Sequence, residues 1–222
     1  MRRLVIIVEG ETEKEFTDKI LSNYFYQKGI QNISCYKISK TNGGMTNYLH
    51  LKRDLQKAIS EEHVLVTTLI DYYALPANFP KYEESKLIGD KNERLSFLEN
   101  AILEDMQGNA YLPYLIPYIQ LHEFEAFTFT NIQGFKDFFS PKEANFRELE
   151  KIINQFENPE DINDHVKTAP SKRLLKLIPS YDKVTDGNNI IRSNGIERVI
   201  EKCPRFKNWT EIITQKMIAE TL

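Results

Sequence analysis

Leu4-Val5-Ile6-Ile7-Val8-Glu9-Gly10-Glu11-Thr12-Glu13 is the clearest structural signal in the chain. Five consecutive apolar residues, four of them β-branched, fit a short strand buried on both faces, the pattern of a parallel sheet. Glu9-Gly10 breaks the run with a charge and a turn at the strand's carboxyl end. A helix is expected next. Thr12 is its N-cap and Glu15, three residues on, the capping-box partner. Phe16, Ile20 and Tyr24 then fall four apart on one face, and Gly29 is the stop.

Outward from this unit the alternation continues. Ile33 to Ile38 reads as a second strand, and Asn42-Gly43-Gly44 as a loop. Tyr48, Leu51, Leu55, Ala58 and Ile59 mark an amphipathic helix. Val64 to Ile70 is a third buried strand, ended by Asp71. Residues 72–90 form a long loop of the kind that often carries function, followed by a helix from about Lys91 to Met106. Leu112 to Leu121 is a fourth strand region that Pro113 and Pro117 make irregular or peripheral. Strands alternating with helices imply right-handed βαβ crossovers and an α/β fold with a mostly parallel sheet. Past Gly134 the pattern turns helical, near 142–157, 170–178, 194–202 and 209–220. The expected organisation is an α/β core over residues 1–133 and a helical, basic C-terminal region over 134–222 packed on it.

The 222 residues, 41% of them hydrophobic, suffice for a real core. No apolar run approaches the ~20 residues of a membrane span, and Glu9 ends the N-terminal run too early for a signal peptide. The expected location is cytoplasmic. Cys35 and Cys203 lie too far apart in sequence to suggest a disulfide framework or zinc cluster, and read as core or near-core thiols. Net charge is −3, but it is unevenly spread: His165 to Lys207 holds ten Lys and Arg against four acids. An acidic body followed by a basic region suits an acidic metal site beside a phosphate-binding surface, although a solvated charged face gives the same pattern. Glu9-Gly10-Glu11 lacks the spacing of a dinucleotide-binding loop.

In parallel α/β sheets ligands bind at the carboxyl ends of the strands. Three strand candidates end in acids: Glu9, Asp71, and the stretch His122-Glu123-Phe124-Glu125. Carboxylates that converge repel one another unless a cation sits among them, and Mg²⁺ (or Mn²⁺) is the hard, oxygen-seeking occupant. Glu9, Asp71, Glu123 and Glu125 are the candidate ligands. Glu9, Glu13, Asp71 and Glu123 are the candidate catalytic set, with Glu9 as ligand or general base. A strand would put Glu123 and Glu125 on one face, whereas a helix would not. Lys172 and Arg173, opening a helix after Pro170, together with His122 and Lys183, are candidate phosphate or nucleic-acid contacts. Tyr72, Tyr73 and Phe79 are candidates for stacking on bases, against inward packing. Gly43-Gly44 is a weak phosphate-loop candidate, and Trp209 reads as a core or interface anchor.

Val8-Glu9-Gly10-Glu11-Thr12-Glu13 resembles the opening motif of TOPRIM domains, the metal-binding module of topoisomerases, bacterial primases and OLD-family nucleases. Together with Asp71-Tyr72-Tyr73, Leu121-His122-Glu123-Phe124-Glu125-Ala126 and Ala169-Pro170-Ser171-Lys172-Arg173, it resembles a TOPRIM-like bacterial family of unknown function, associated with phage defence and ATPase partners. The resemblance implies a TOPRIM/Rossmann-like sheet and Mg²⁺-dependent phosphodiester hydrolysis of DNA or RNA. Tyr73 stands where TOPRIM domains carry a second Asp, so a non-catalytic TOPRIM-fold subunit that binds an ATPase or nucleic acid is the alternative. A small-molecule phosphohydrolase would use the same metal logic.

Overall fold

In the computed structural model, which describes residues 2–39, 45–162 and 168–219, the chain divides into two compact units. One is Met1–Leu121 with Trp209–Leu222, and the other is His122–Asn208. The division falls after the last strand, at Leu121, ahead of the 133/134 boundary expected from sequence, and the final helix returns to the first unit. Gly43-Gly44 lies outside the described residues.

The first unit runs β1 (Arg3–Val8), α1 (Glu11–Phe16), α2 (Ser22–Gln27), β2 (Ile33–Lys37), α3 (Tyr48–Ile59), β3 (Val64–Asp71), α4 (Tyr82–Ser85), α5 (Lys91–Asp105), β4 (Leu115–Ile116) and β5 (Ile119–Gln120). Every strand pairing is parallel, in the order β2-β1-β3-β4, with β5 also paired to β3. The α/β expectation holds. β1 and β3 are central, and β3 is buried along its whole length, which is why both strands read as continuous apolar runs. Alternate residues serve opposite faces. Val5, Ile7, Val64, Val66 and Ile70 share a core with Leu51 and Leu55 of α3 and with Leu95, Leu98 and Ile102 of α5. That is the face a right-handed crossover from β2 to β3 and from β3 to β4 must cover.

The first helix departs from its sequence pattern in two ways. It starts earlier, with Gly10 at the N-cap, and its capping carboxylate is Glu13 rather than Glu15: Gly10 N–H donates to Glu13 Oε2 at 3.0 Å. Between α1 and α2, Thr17–Leu21 forms a π-helical turn. Such a turn inserts one residue into the helical repeat, so Phe16 and Ile20 are buried as expected, but beyond Leu21 and Ser22 the buried ring is that of Phe25 instead of Tyr24.

The fourth strand is broken at Pro117-Tyr118, and threonines of β3 mend the break. Thr68 Oγ1 donates to Tyr118 O and accepts from Tyr118 N, both at 2.8 Å. Thr67 Oγ1 donates to Ile116 O at 2.6 Å and accepts from Trp209 Nε1 at 2.7 Å. Trp209 also stacks on Tyr118 with ring centroids 4.6 Å apart. The expected core anchor is therefore one, and it satisfies a buried threonine that the irregular strand requires.

The second unit is helical: α6 (Ile132–Phe138), α7 (Phe146–Gln155), α8 (Pro170–Leu177), α9 (Thr185–Asn194), α10 (Ile196–Lys202) and the start of α11 (Pro204–Ile218). A 3₁₀ segment, Phe124–Thr130, precedes them and is buried throughout. The core contains Phe129, Phe135, Leu149, Leu174, Ile178 and Ile190. The sequence pattern does not announce α6 or α9. The latter reads Thr-Asp-Gly-Asn-Asn-Ile-Ile-Arg-Ser-Asn, poor in helix formers. Its Gly187 has a packing reason, because a Cβ there would stand 2.7 Å from the Tyr181 hydroxyl. Among the described residues no helix is long and apolar enough to cross a membrane.

Candidate functional site

The strand order reverses direction between β1 and β3: β2 lies outside one and β4 outside the other. At such a reversal the connections leave in opposite directions and open a crevice at the carboxyl ends of the two strands. Val8 pairs with Leu69, so Glu9 follows β1 and Asp71 closes β3 at the mouth of this crevice. Glu9 is half-buried and Asp71 is 5% exposed. The two are tied together, since Asp71 N–H donates to Glu9 Oε2 at 3.3 Å. Glu13 is buried as well, and its carboxylate is engaged with Gly10 N–H. A Cβ at Gly10 would stand 3.1 Å from Glu13 Oε2, so residue 10 is small where the chain turns from strand into helix. Glu13 thus holds the turn that presents Glu9.

Around the crevice, Tyr72 packs against the first unit's core while Tyr73 is 38% exposed. Phe79 is buried, edge-on to Tyr48 with ring centroids 5.1 Å apart, which is the inward alternative for this loop aromatic. Burial pushes the Cys35 thiol up to about 12, so it stays protonated near neutrality. Cys203 is fully buried, and both cysteines are free.

The remaining predicted acids belong to the second unit. They do not end a strand. β5 stops at Gln120, His122 takes a left-handed backbone (φ 68), and Glu123 becomes the N-cap residue of the 3₁₀ segment that contains Glu125. The helical alternative for the pair is the one realised. Glu123 accepts Ser171 N–H at 2.9 Å on Oε2 and Ser171 O–H at 3.0 Å on Oε1. It therefore caps α8 from a distance and occupies the helix N-terminus that had been expected to receive phosphate. Arg173 donates Nε to Thr168 O at 2.7 Å and Nη2 to Ile162 O at 3.2 Å. Glu125 is fully buried, with Lys183 Nζ 3.3 Å from Oε1. Burial pushes the Glu125 carboxyl above the ordinary carboxylate range. Lys183 opposes that shift and the charge of Glu123 adds to it. The Tyr181 hydroxyl, which has no hydrogen-bond partner among the described residues, is pushed up by burial first and by Glu125 second.

Glu160, which belongs to none of the sequence motifs, is another buried cap. It is 1% exposed and accepts Arg205 N–H at 3.0 Å, at the start of α11. Burial raises its pKa to about 7 from 4.5. A carboxyl whose folded pKa is raised contributes stability below the unfolded value that is lost as pH rises through the folded one. The shift corresponds to a difference on the order of 3 kcal/mol between pH 4.5 and pH 8. Glu160→Gln, which cannot titrate, is expected to remove that pH dependence. Urea unfolding of wild type and variant at both pH values checks it, and a stability gap that does not change with pH refutes the assignment.

Among the described residues no group of three or more His, Cys, Asp or Glu side chains stands ready as a metal cage. Glu9 and Asp71 nevertheless fit Mg²⁺ by donor chemistry. Both offer carboxylate oxygens, and Mg²⁺ is commonly held by one or two carboxylates, waters and substrate phosphates rather than by a closed protein shell.

The domain-of-unknown-function family DUF4276 matches residues 8–214, nearly the whole chain, and the chain belongs to it. No curated protein and no solved structure matches it.

Proposed function

We propose that this DUF4276 member is a Mg²⁺-dependent phosphodiesterase acting on nucleic acid, of TOPRIM type, serving as the effector of a bacterial anti-phage system with an ATPase partner. The observation that carries the catalytic part is the pairing of Glu9 with Asp71 at the crevice where the sheet reverses order. Asp71, the more deeply set, and Glu9, at the mouth, would hold the cation. When bound, Mg²⁺ supplies charge neutralisation of the phosphate and acidification of a water. Glu9 would accept the proton of the attacking water, a role supported by the hydrogen bond from Asp71 N–H that orients its carboxylate. Glu13 and Gly10 keep the turn tight, so the carboxylate of Glu9 does not swing away from the strand end.

The defence role and the ATPase partner rest on the resemblance of four ordered motifs to the TOPRIM-like family. Tyr73, exposed where TOPRIM domains carry a second Asp, favours one other reading, a non-catalytic binding subunit. Incubation of the purified chain with plasmid, linear duplex, single-stranded DNA and RNA separates the two. Cleavage with Mg²⁺ or Mn²⁺ that EDTA abolishes is the expected outcome. Absence of cleavage, coupled with absence of Mg²⁺ binding by calorimetry, would transfer the assignment to the binding subunit.

A further inference from the structure

Between α7 and α8 the second unit carries an open groove of about 490 Å³. Lys151, Lys172, Arg173 and Lys176 line it, against a single acid, Glu148. Elsewhere on the surface Lys19, Lys37, Lys86 and Lys136 each hold a carboxylate. In the groove, among the described residues, only Lys151 does, loosely, with 3.7 Å to Glu148. Lys172 and Lys176 are exposed, and no ion pair or hydrogen bond among the described residues engages either. They stand four apart on α8, hence on the same side of the helix and one turn from each other. Like charges at that spacing oppose helix formation. Lys172 lies in the first turn, whose partial positive charge the Glu123 carboxylate meets through Ser171, and Lys176 lies in the last turn, where a cation suits the helix dipole. Neither ammonium meets a carboxylate among the described residues, so both stand open to an anion from solution.

We propose that this groove binds the phosphodiester backbone of a nucleic acid. It deepens the preceding reading by locating the substrate's backbone, and it rests on that reading for the choice of nucleic acid among polyanions. The cations are spread along a ridge and open to solvent, which suits a ligand whose charge repeats along its length. A single small anion is held instead by buried, converging donors. Arg173, its Nε and Nη2 committed to carbonyls and its guanidinium 5.8 Å from the Phe156 ring centroid, shapes the groove wall. The exposed lysines make the contacts. Each phosphate neutralised releases counterions, so binding should weaken with salt in proportion to the contacts made.

Fluorescence anisotropy tests it with the full chain in EDTA, where cleavage is off, using labelled duplex DNA, single-stranded DNA and RNA over a range of salt. Lys172→Glu/Lys176→Glu is expected to weaken binding at least roughly tenfold and to flatten the log–log salt slope by about 1.4 to 1.8. Lys28→Glu/Lys57→Glu, the same change of net charge on exposed lysines of the first unit, is expected to leave both nearly unchanged. Equal losses in the two double variants, or none in either, overturn the groove. The two readings fail separately. Groove-dependent binding without metal-dependent cleavage removes the catalytic proposal and keeps the groove, whereas cleavage at full rate and affinity by the groove variant does the reverse.

Discussion

Asp71→Asn is expected to lower Mg²⁺-dependent cleavage roughly a hundredfold or more, the usual scale for removing a positioned charged group from a reacting centre. The substitution keeps the size of the side chain and the backbone N–H that Glu9 Oε2 accepts. It removes a negative charge at a buried position (5% exposed), where a cation is screened least by water. Calorimetry should show Mg²⁺ affinity falling with it. Glu9→Gln is expected to cut cleavage on the same scale while lowering Mg²⁺ affinity less, because the proposed mechanism gives the half-buried Glu9 the proton of the water. Thermal melting establishes that both variants are folded. An Asp71→Asn protein that is folded and cleaves at the wild-type rate would remove the crevice from consideration.

Gly134→Ala is expected to destabilise the second unit by about 3 kcal/mol. Gly134 lies within α6, where alanine would ordinarily be better by up to ~1 kcal/mol. Here a Cβ would stand 2.6 Å from Ile190 O and 2.7 Å from Asn194 Oδ1, so α6 and α9 must separate. Overpacking of this kind costs roughly 1–3 kcal/mol. Separation also strains the bond from Gly134 N–H to Asn194 Oδ1, 2.8 Å long. Asn194 in turn donates Nδ2 to Thr128 O and Thr130 Oγ1, each at 3.2 Å, so a buried amide loses its fixed position and unsatisfied groups add to the cost. Urea unfolding measures the change. Gly89→Ala is the control, because nothing lies within 4 Å of its Cβ position. Equal stability of Gly134→Ala and wild type would refute the close helix approach.

Three carboxylates show how the same residue type is put to different use. Glu13, Glu123 and Glu160 each accept a backbone N–H at the start of a helix: α1, α8 and α11 respectively. Only Glu13 caps from within its own helix, at the spacing a sequence motif describes. Glu123 and Ser171 are 48 residues apart, and Glu160 and Arg205 are 45 apart. No local pattern encodes those pairings, so the motifs present Glu123 as a strand-end ligand and do not reach Glu160.

The α/β class, the buried central strands, the placement of Glu9 and Asp71 at strand ends, and the helical nature of the later chain are legible in the order of the residues. Those features follow from local hydrophobic periodicity and turn chemistry, which act over a few residues. That Phe25 rather than Tyr24 turns inward emerges on folding, since one π turn shifts the phase of everything after it. Tertiary packing also made Glu123 a helix cap rather than a strand-end acid. It brought Trp209 back to Thr67 across 142 residues and raised the weak former Thr185–Asn194 into a helix. Each of these was decided by contacts between residues distant in the chain, where burial and the need to satisfy every buried polar group outweigh local propensity.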